Sequence, residues 1–384
     1  MGSNSKNDMQ LVVGLDDGHD TNKVCSGWDD STKAWRYGYH KSRVVEGLQQ
    51  VMSMGGSDNA GGAYETGGKR FTVAGSQALL QALDTRMAGF PLSDVNRILV
   101  THSLAACGLG DTPVYLITGL PVDQYYKGGA ADQQLIGKKI ESLTQCVVRV
   151  GKGPALAQIT GQSVISEATA AFYDALIQHD GTFDTAIEAL IARRPIAVMD
   201  LGGKTADIVV VAENISQIYQ AQSGTRDIGV LQLLDQVADQ IKSEFSLNDN
   251  PPLPYVEEAC RTKKYELFGD DVDVSHIVVA ACEAYLNRLQ NFFVSKLRDG
   301  SSVGAVIFVG GGTALLKSAL GDEVFSSIFK GKRFIANEPE YANARGMWKF
   351  GMYVLDPTER TIVAPAAAKG VQAKSSRANT VEPV

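Results

Sequence analysis

The spacing of apolar and polar positions changes several times along the chain, and each change marks an element. Gln10–Leu15 is a short β-branched run stopped by Asp16-Asp17-Gly18, which predicts a strand ending in a turn. Further strands are expected around 22–28 and at Ala34–Tyr39. Between Gly47 and Gly68 the pairs Gly55-Gly56, Gly61-Gly62 and Gly67-Gly68 predict a mobile loop. Arg70–Ala74 is short and strand-like, Asp94–Cys107 has helical spacing, and Val114–Leu120 is a buried strand running into Pro121. Helices are expected at 131–141 and 163–178, on either side of a strand-rich stretch at 144–160.

Pro195–Asp200 restarts the strand pattern. From 228 to 245, Ile228, Leu231, Leu234, Val237, Ala238, Ile241 and Phe245 recur at the three- and four-residue steps of an amphipathic helix. A second such helix is expected from a Ser275 cap through Phe293. Gly304–Val309 reads as a buried strand, and Leu315–Leu320 as the start of the next helix. Hairpins followed by alternating strands and helices indicate an α/β protein.

An internal echo divides the chain. Val12-Val-Gly-Leu-Asp16-Asp-Gly18 and Ile196-Ala-Val-Met-Asp200-Leu-Gly202 both read as an apolar strand, Asp, one residue, Gly. Positions 16 and 200 lie 184 apart, about half of the 384 residues, as expected of a duplicated domain. Length alone already favours two domains.

Composition narrows the class. Apolar residues make up 44% and charged residues 21%, ordinary for a globular protein. Lys and Arg number 36 against 43 Asp and Glu, a net charge of −7 that argues against a broadly cationic, DNA-coating surface. No apolar run approaches the roughly 18 residues of a membrane span, and no leader pattern precedes the first strand. The five cysteines are scattered without CxxC spacing, as expected of reduced thiols in a cytoplasmic protein. The informative excess is glycine, 39 residues against 12 prolines.

Three glycine turns follow apolar strands. In Asp16-Asp17-Gly18-His19-Asp20-Thr21-Asn22-Lys23, a strand-end carboxylate precedes a turn whose Gly lets backbone N–H groups approach a phosphate, with Lys23 as a point cation. An ordinary hairpin turn is the bland alternative. Asp200-Leu201-Gly202-Gly203-Lys204-Thr205-Ala206-Asp207 is more restrictive: two glycines, a hydroxyl and a carboxylate at each end suit phosphate cradling and water-mediated Mg2+ binding. Gly310-Gly311-Gly312-Thr313, after Ala305–Val309, leaves bare backbone against which a purine can lie.

In this order and spacing, the three turns resemble the phosphate-1, phosphate-2 and adenosine motifs of the actin/Hsp70/sugar-kinase superfamily. Ser163–Leu176 resembles its connect-1 helix and Ala342–Gly351 its connect-2 helix. Within the superfamily the chain resembles the plasmid-segregating actin-like proteins of the ParM/StbA type. That likeness is carried by the very early Asp16-Asp17-Gly18, Asn96–Leu104, Leu120-Pro-Val-Asp-Gln-Tyr-Tyr126, and Ser166-Glu167 before an Ala-rich helix.

The resemblance implies an actin-like fold of two duplicated ribonuclease-H-like α/β domains around a nucleotide cleft. Residues 1–8 would be a flexible N-terminus, 9–165 plus about 340–363 domain I, 166–339 domain II, and 364–384 a disordered tail. It implies binding of ATP, with GTP left open, through Asp16, Gly18, Lys23, Gly202, Gly203, Thr205, Gly310, Gly311 and Gly312. Asp16 and Asp200 would hold Mg2+ through water, and Glu167 would orient the attacking water, with Asp200 also catalytic. Ribose contacts are expected from the 228–245 helix. The implied activity is ATP hydrolysis coupled to filament formation, with plasmid DNA reached indirectly through a ParR-like DNA-binding adaptor and no membrane contact. A small-molecule kinase of the same superfamily and a cell-shape or division actin homologue are the alternatives, although no second-substrate motif and no amphipathic terminus support them.

Overall fold

A computed structural model describes residues 10–48, 62–73, 82–87, 89–356, 358 and 361–362. The expected flexible N-terminus, most of the glycine-pair loop and the expected tail lie outside the described residues.

The first half opens with three strands in hairpin succession: β1 (Leu11–Asp17), β2 (Thr21–Asp29) and β3 (Ala34–Lys41). A small sheet follows from β4 (Val44–Glu46), β5 (Ala63–Thr66) and β6 (Lys69–Val73). Part of the stretch read as a loop is therefore a hairpin, with Gly67 and Gly68 at its turn in left-handed backbone, φ 57° and 77°. Helix α1 (Asp94–Ala106) is capped by Ser93, whose side chain accepts from Asn96 N–H, and leads to β7 (Pro113–Leu120). After a single helical turn, α2 (Val122–Tyr125), the two-residue strands β8 (Tyr126–Lys127) and β9 (Ala130–Ala131) pair with each other. Then come α3 (Gln133–Thr144), β10 (Val148–Val150), β11 (Gln158–Ser166) and α4 (Glu167–Leu176). The helix expected at 163–178 thus begins only at Glu167; Gln158–Ser166 pairs with β7 as a parallel strand, an interaction that local periodicity does not reveal.

The second half repeats the plan. After α5 (Thr185–Ile191), β12 (Ile196–Leu201), β13 (Ala206–Val211) and β14 (Gly224–Arg226) form an antiparallel run. Helices α6 (Val230–Glu244) and α7 (Leu253–Thr262) lead to the hairpin β15 (Lys264–Leu267) and β16 (Asp270–Asp273). Helix α8 (Ser275–Leu297) follows, with Val274 and not Ser275 at its N-cap. The half closes with β17 (Ala305–Val309), α9 (Gly311–Leu320) and β18 (Arg333–Ile335). Helix α9 starts earlier than the Leu315 expected, so Gly311 and Gly312 belong to its first turn. Finally α10 (Ala342–Lys349) returns to the first half, and β19 (Thr361–Ile362) adds antiparallel to β11.

The two large sheets share one topology. The first is ordered β19-β11-β7-β1-β2-β3 and the second β14-β13-β12-β17-β18. In each, the opening strand pairs antiparallel with the next strand and parallel with a later one, β1 with β2 and β7, β12 with β13 and β17. The duplication read from two short motifs is therefore a duplication of whole sheets. Both faces of β12, β13 and β17 are buried, as the continuous apolar runs require.

Helices α4 and α10 cross where the halves meet. A Cβ at Gly346 would sit 1.8 Å from the Ala170 carbonyl oxygen, so this crossing tolerates no side chain there. Beside it, Asp174 is buried and receives Arg345 at 2.7 Å and Lys349 at 2.7 Å. Trp28, Trp35 and Trp348 cluster edge to face nearby, packing rather than cofactor binding.

Candidate functional site

A cleft partly open to solvent, with about 1100 Å³ of empty space when the solvent at its mouth is included, lies between the two sheets at the ends of β1 and β12. Its lining includes every residue expected to bind nucleotide or metal except Gly312: Asp16, Gly18, Lys23, Glu167, Asp200, Gly202, Gly203, Thr205, Gly310 and Gly311. Residues spread over almost 300 positions are brought to one place because both central strands run their C-terminal ends into it.

The two phosphate-type turns face each other, with Gly203 against Asp20. In the first, the amides of Gly18, His19 and Asp20, which line the cleft, have no acceptor among the described residues and are free to bind an anion. The side chains at the tip are turned aside. His19 Nδ1 lies 2.7 Å from the Thr85 carbonyl, and burial, the largest influence on it, lowers its pKa. Asp20 accepts from Lys41 at 2.8 Å and Arg43 at 3.1 Å; burial opposes its ionisation, but these two cations hold the carboxyl down at about 2. In the second turn Gly202 spends its own amide on the Thr205 carbonyl at 2.9 Å, so Gly203 and Lys204 present the open donors. The first amides of α6 fasten this turn from behind, Val230 to Gly202 O and Leu231 to Gly203 O, each at 2.9 Å.

The floor is a concentration of buried charge. Lys23 pairs with Asp16 at 3.2 Å, and although burial disfavours its charge, Asp16, Asp20 and Asp200 hold its pKa above the usual lysine value. Asp17 points the other way, into the first half, where it binds Lys139 at 2.8 Å and Asn96 at 2.7 Å. Asp200 accepts from Asn343 at 2.8 Å through one oxygen, while its Oδ1 has no partner among the described residues. Burial first, then Asp16 and Asp207, push Asp200 up to about 7. Asp207 is pushed up to about 6 by burial in spite of donors from Thr225, Val122 N–H and Thr205. Glu167, the first residue of α4, is raised well above the usual carboxylate range by burial and by Asp16, Asp207 and Asp200.

Four carboxyl groups, Asp16, Glu167, Asp200 and Asp207, thus act on one another at this floor beside the Lys23 ammonium, while Asp17 and Lys139 pair to one side. Buried like charges either take up protons or attract a cation. The unpartnered Asp200 Oδ1 and this anionic excess fit a divalent ion. Among the described residues no three His, Cys, Asp or Glu side chains are grouped to grip a metal directly, so the donor set suits an ion that keeps its water.

The third glycine turn closes the other side. Gly310 has φ 91°, and a Cβ there would meet Asp200 Oδ1 at 2.4 Å. Gly312 lies against Leu201, while a Cβ at Gly311 meets nothing within 4 Å, leaving that backbone open to the cleft. The 228–245 helix lines the cleft with Val230 and Leu234, which are apolar; the polar groups on that side are Glu257 and Arg261 of α7. Glu257 and Arg261 escaped sequence reading because one turn of an otherwise ordinary surface helix carries no motif. Asn343 and Lys139 escaped for the same reason. Lys264 pairs with Asp271 at 3.6 Å on the surface, and neither it nor Lys263 lines the cleft.

Two matched sheets closing on such a cleft define the actin-like fold. Residues 13–178 match the family model of the plasmid segregation protein ParM, N-terminal, and residues 198–322 that of the archaeal actin homologue MreB-like, C-terminal. Among solved structures it is similar to a 15-stranded ParM filament from Clostridium botulinum, with 18% identity, TM-score 0.68, and 89% of this chain and 99% of that one covered. It is also similar to a crystal structure of an archaeal actin homologue, at 19% identity, TM-score 0.67 and the same coverage. The ADP complex of that homologue aligns at 18% identity and TM-score 0.65, again over 89% and 99%. No curated protein matches the chain by sequence. Among the described residues no helix is long and apolar enough to cross a membrane.

Proposed function

We propose that the chain is a nucleotide-dependent, filament-forming ATPase that moves plasmid DNA through an adaptor bound to a centromere-like site. The observation that carries this reading is the cleft floor, where open backbone donors of two opposed turns surround more buried carboxylates than the protein itself neutralises. A polyphosphate on the donors and a divalent ion on the carboxylates complete both halves of that charge arrangement. The ParM family match and the ParM filament likeness support polymerisation and segregation.

In this reading Gly18, His19, Asp20, Gly203 and Lys204 hold the phosphates by backbone N–H, with the Lys23 ammonium beside them. Asp16 and Asp200 would hold Mg2+ through water, the ion neutralising charge on the phosphate oxygens. Glu167, ionised once a divalent ion offsets its acidic neighbours, accepts a hydrogen bond from the attacking water and orients it. Gly310, Gly311 and Gly312 lie along the adenosine, with Glu257 and Arg261 at the ribose edge. Phosphoryl transfer depends on positioning and charge stabilisation, and this floor supplies both.

Phosphate release and sedimentation, each measured with ATP or GTP and with or without Mg2+, test the proposal. Expected are Mg2+-dependent phosphate release and a pelletable polymer with nucleoside triphosphate. A chain that binds nucleotide, stays in the supernatant under all conditions and phosphorylates an added acceptor overturns it.

A further inference from the structure

The short stretch Leu83-Asp84-Thr85-Arg86-Met87 belongs to no strand or helix, yet it is tied at both ends. Leu83 N–H donates to Val44 O of β4 at 2.8 Å, and Met87 O accepts from Phe90 N–H at 3.4 Å. Asp84 folds the middle into an Asx turn, its Oδ1 accepting from Arg86 N–H at 2.9 Å. Thr85 is carried inward, to 3% exposure. Its hydroxyl donates to the His19 carbonyl, and its own carbonyl accepts from His19 Nδ1 at 2.7 Å. A carbonyl can only accept, so Nδ1 carries the proton. The His19 ring also rests on that of Phe90, 4.7 Å between centroids. The tip of the first phosphate-type turn is thereby held by backbone and side chain at once.

The next residue reaches the second half. Arg86 O accepts from Lys204 Nζ at 2.9 Å, and the Arg86 guanidinium meets Asp235 of α6 at 2.5 Å. Asp84 steadies that guanidinium at 3.0 Å. Lys204 belongs to the second phosphate-type turn, and α6 is the helix whose first amides hold the Gly202 and Gly203 carbonyls. The Lys204 ammonium is thus spent on the first half. Thr85 and Arg86 are consecutive, with Cα atoms about 3.8 Å apart. A single peptide unit therefore ties the tip of one turn to the other turn and to the helix behind it.

We propose that Thr85 and Arg86 are positioning residues that set the spacing between the two turns. Neither lines the cleft; they act through His19 and Lys204, which do. The open amides of both turns serve one polyphosphate only while that spacing is kept. A displacement of about 1 Å in such a frame can slow a reaction up to about 100-fold. Binding suffers less, because either turn can still hold phosphate by itself. This rests on the nucleotide reading above and adds what keeps the two turns in register.

Phosphate release and nucleotide affinity of the full chain, with ATP and Mg2+, provide the test. Thr85→Val keeps the shape but loses the hydroxyl, and Arg86→Met loses the link to Asp235. Each is expected to lower kcat about tenfold or more, with nucleotide affinity changed far less. Thr85→Ser, which keeps the hydroxyl, should restore turnover. The double variant should lose no more than the worse single one, because the tie between the turns is broken only once. Arg86 is 37% exposed in its side chain, so Arg86→Met keeps the fold and reads the same loss if Thr85→Val does not. Parental kcat in both single variants, or losses that add in the double variant, overturn the tie and leave the nucleotide reading intact. A parent chain that neither binds nor hydrolyses nucleotide overturns both.

Discussion

In the first half Asp16 faces Lys23 across the β1–β2 hairpin; at the equivalent positions of the second half Asp200 faces Asp207 across β12–β13. The backbone is the same, a strand, a glycine turn and a returning strand, and Thr21 and Thr205 also correspond. One change of sign separates the two. The first turn neutralises its own carboxylate at 3.2 Å, whereas the second leaves two carboxyls pushed up to about 7 and about 6. A duplicated scaffold has thus been divided into a balanced side and an anionic side, and Glu167 stands where both act on it.

The largest expected consequence is in the pH dependence of the chain without nucleotide. A carboxyl whose folded pKa is raised keeps its proton more tightly when folded, so its stabilisation is full below about pH 4 and is lost as pH rises through the folded value. For Asp200 this window runs from about 4 to about 7, a loss of order 4 kcal/mol. Thermal unfolding should show stability falling across it, and Asp200→Asn should flatten the fall. A flat profile in the parent would remove the anionic side of the comparison.

Next is Glu167→Gln, expected to slow phosphate release about 100- to 1000-fold, near 3–4 kcal/mol, with nucleotide binding kept. Near-parental turnover would show that the raised carboxyl plays no part in orienting water. Lys23→Met unbalances the first turn by stranding buried Asp16 and should cost about 3 kcal/mol in denaturant unfolding. Thr225→Val removes one donor from Asp207 and should cost about 1 kcal/mol, read from the same unfolding curves.

The smallest effect is expected where the halves touch across the cleft mouth. Lys41 bridges Asp20 of the first half and Glu257 of the second, each at 2.8 Å, with side chains about a quarter exposed. Glu257→Gln should change stability by no more than about 0.5 kcal/mol. It should nevertheless increase amide exchange at the cleft rim, and an unchanged exchange pattern would show that this bridge does not restrain opening.

Much of this was legible in the chain because glycine turns after apolar strands are local signals. Asp16, Gly18, Asp200, Gly202, Gly203 and the Gly310 triplet are readable from a few neighbours each. Helix α6 was legible for a similar reason, since its apolar stripe repeats within its own length. Strand Gln158–Ser166 was not, because its Ala-rich continuation has helical spacing and its pairing partner β7 lies some 45 positions earlier. Lys139, Asn343, Glu257 and Arg261 were hidden because a lone polar residue on a helix has no local mark of what it faces.

What the sequence determined by itself is the set of turns whose backbone conformations need glycine, and the echo between positions 16 and 200. These depend on steric freedom and strand-forming tendency, which act over a few residues. The tertiary structure alone decided the charge state of the floor. Burial and like charge raise Glu167, Asp200 and Asp207, an effect that arises only when strands far apart in the chain end in one desolvated place.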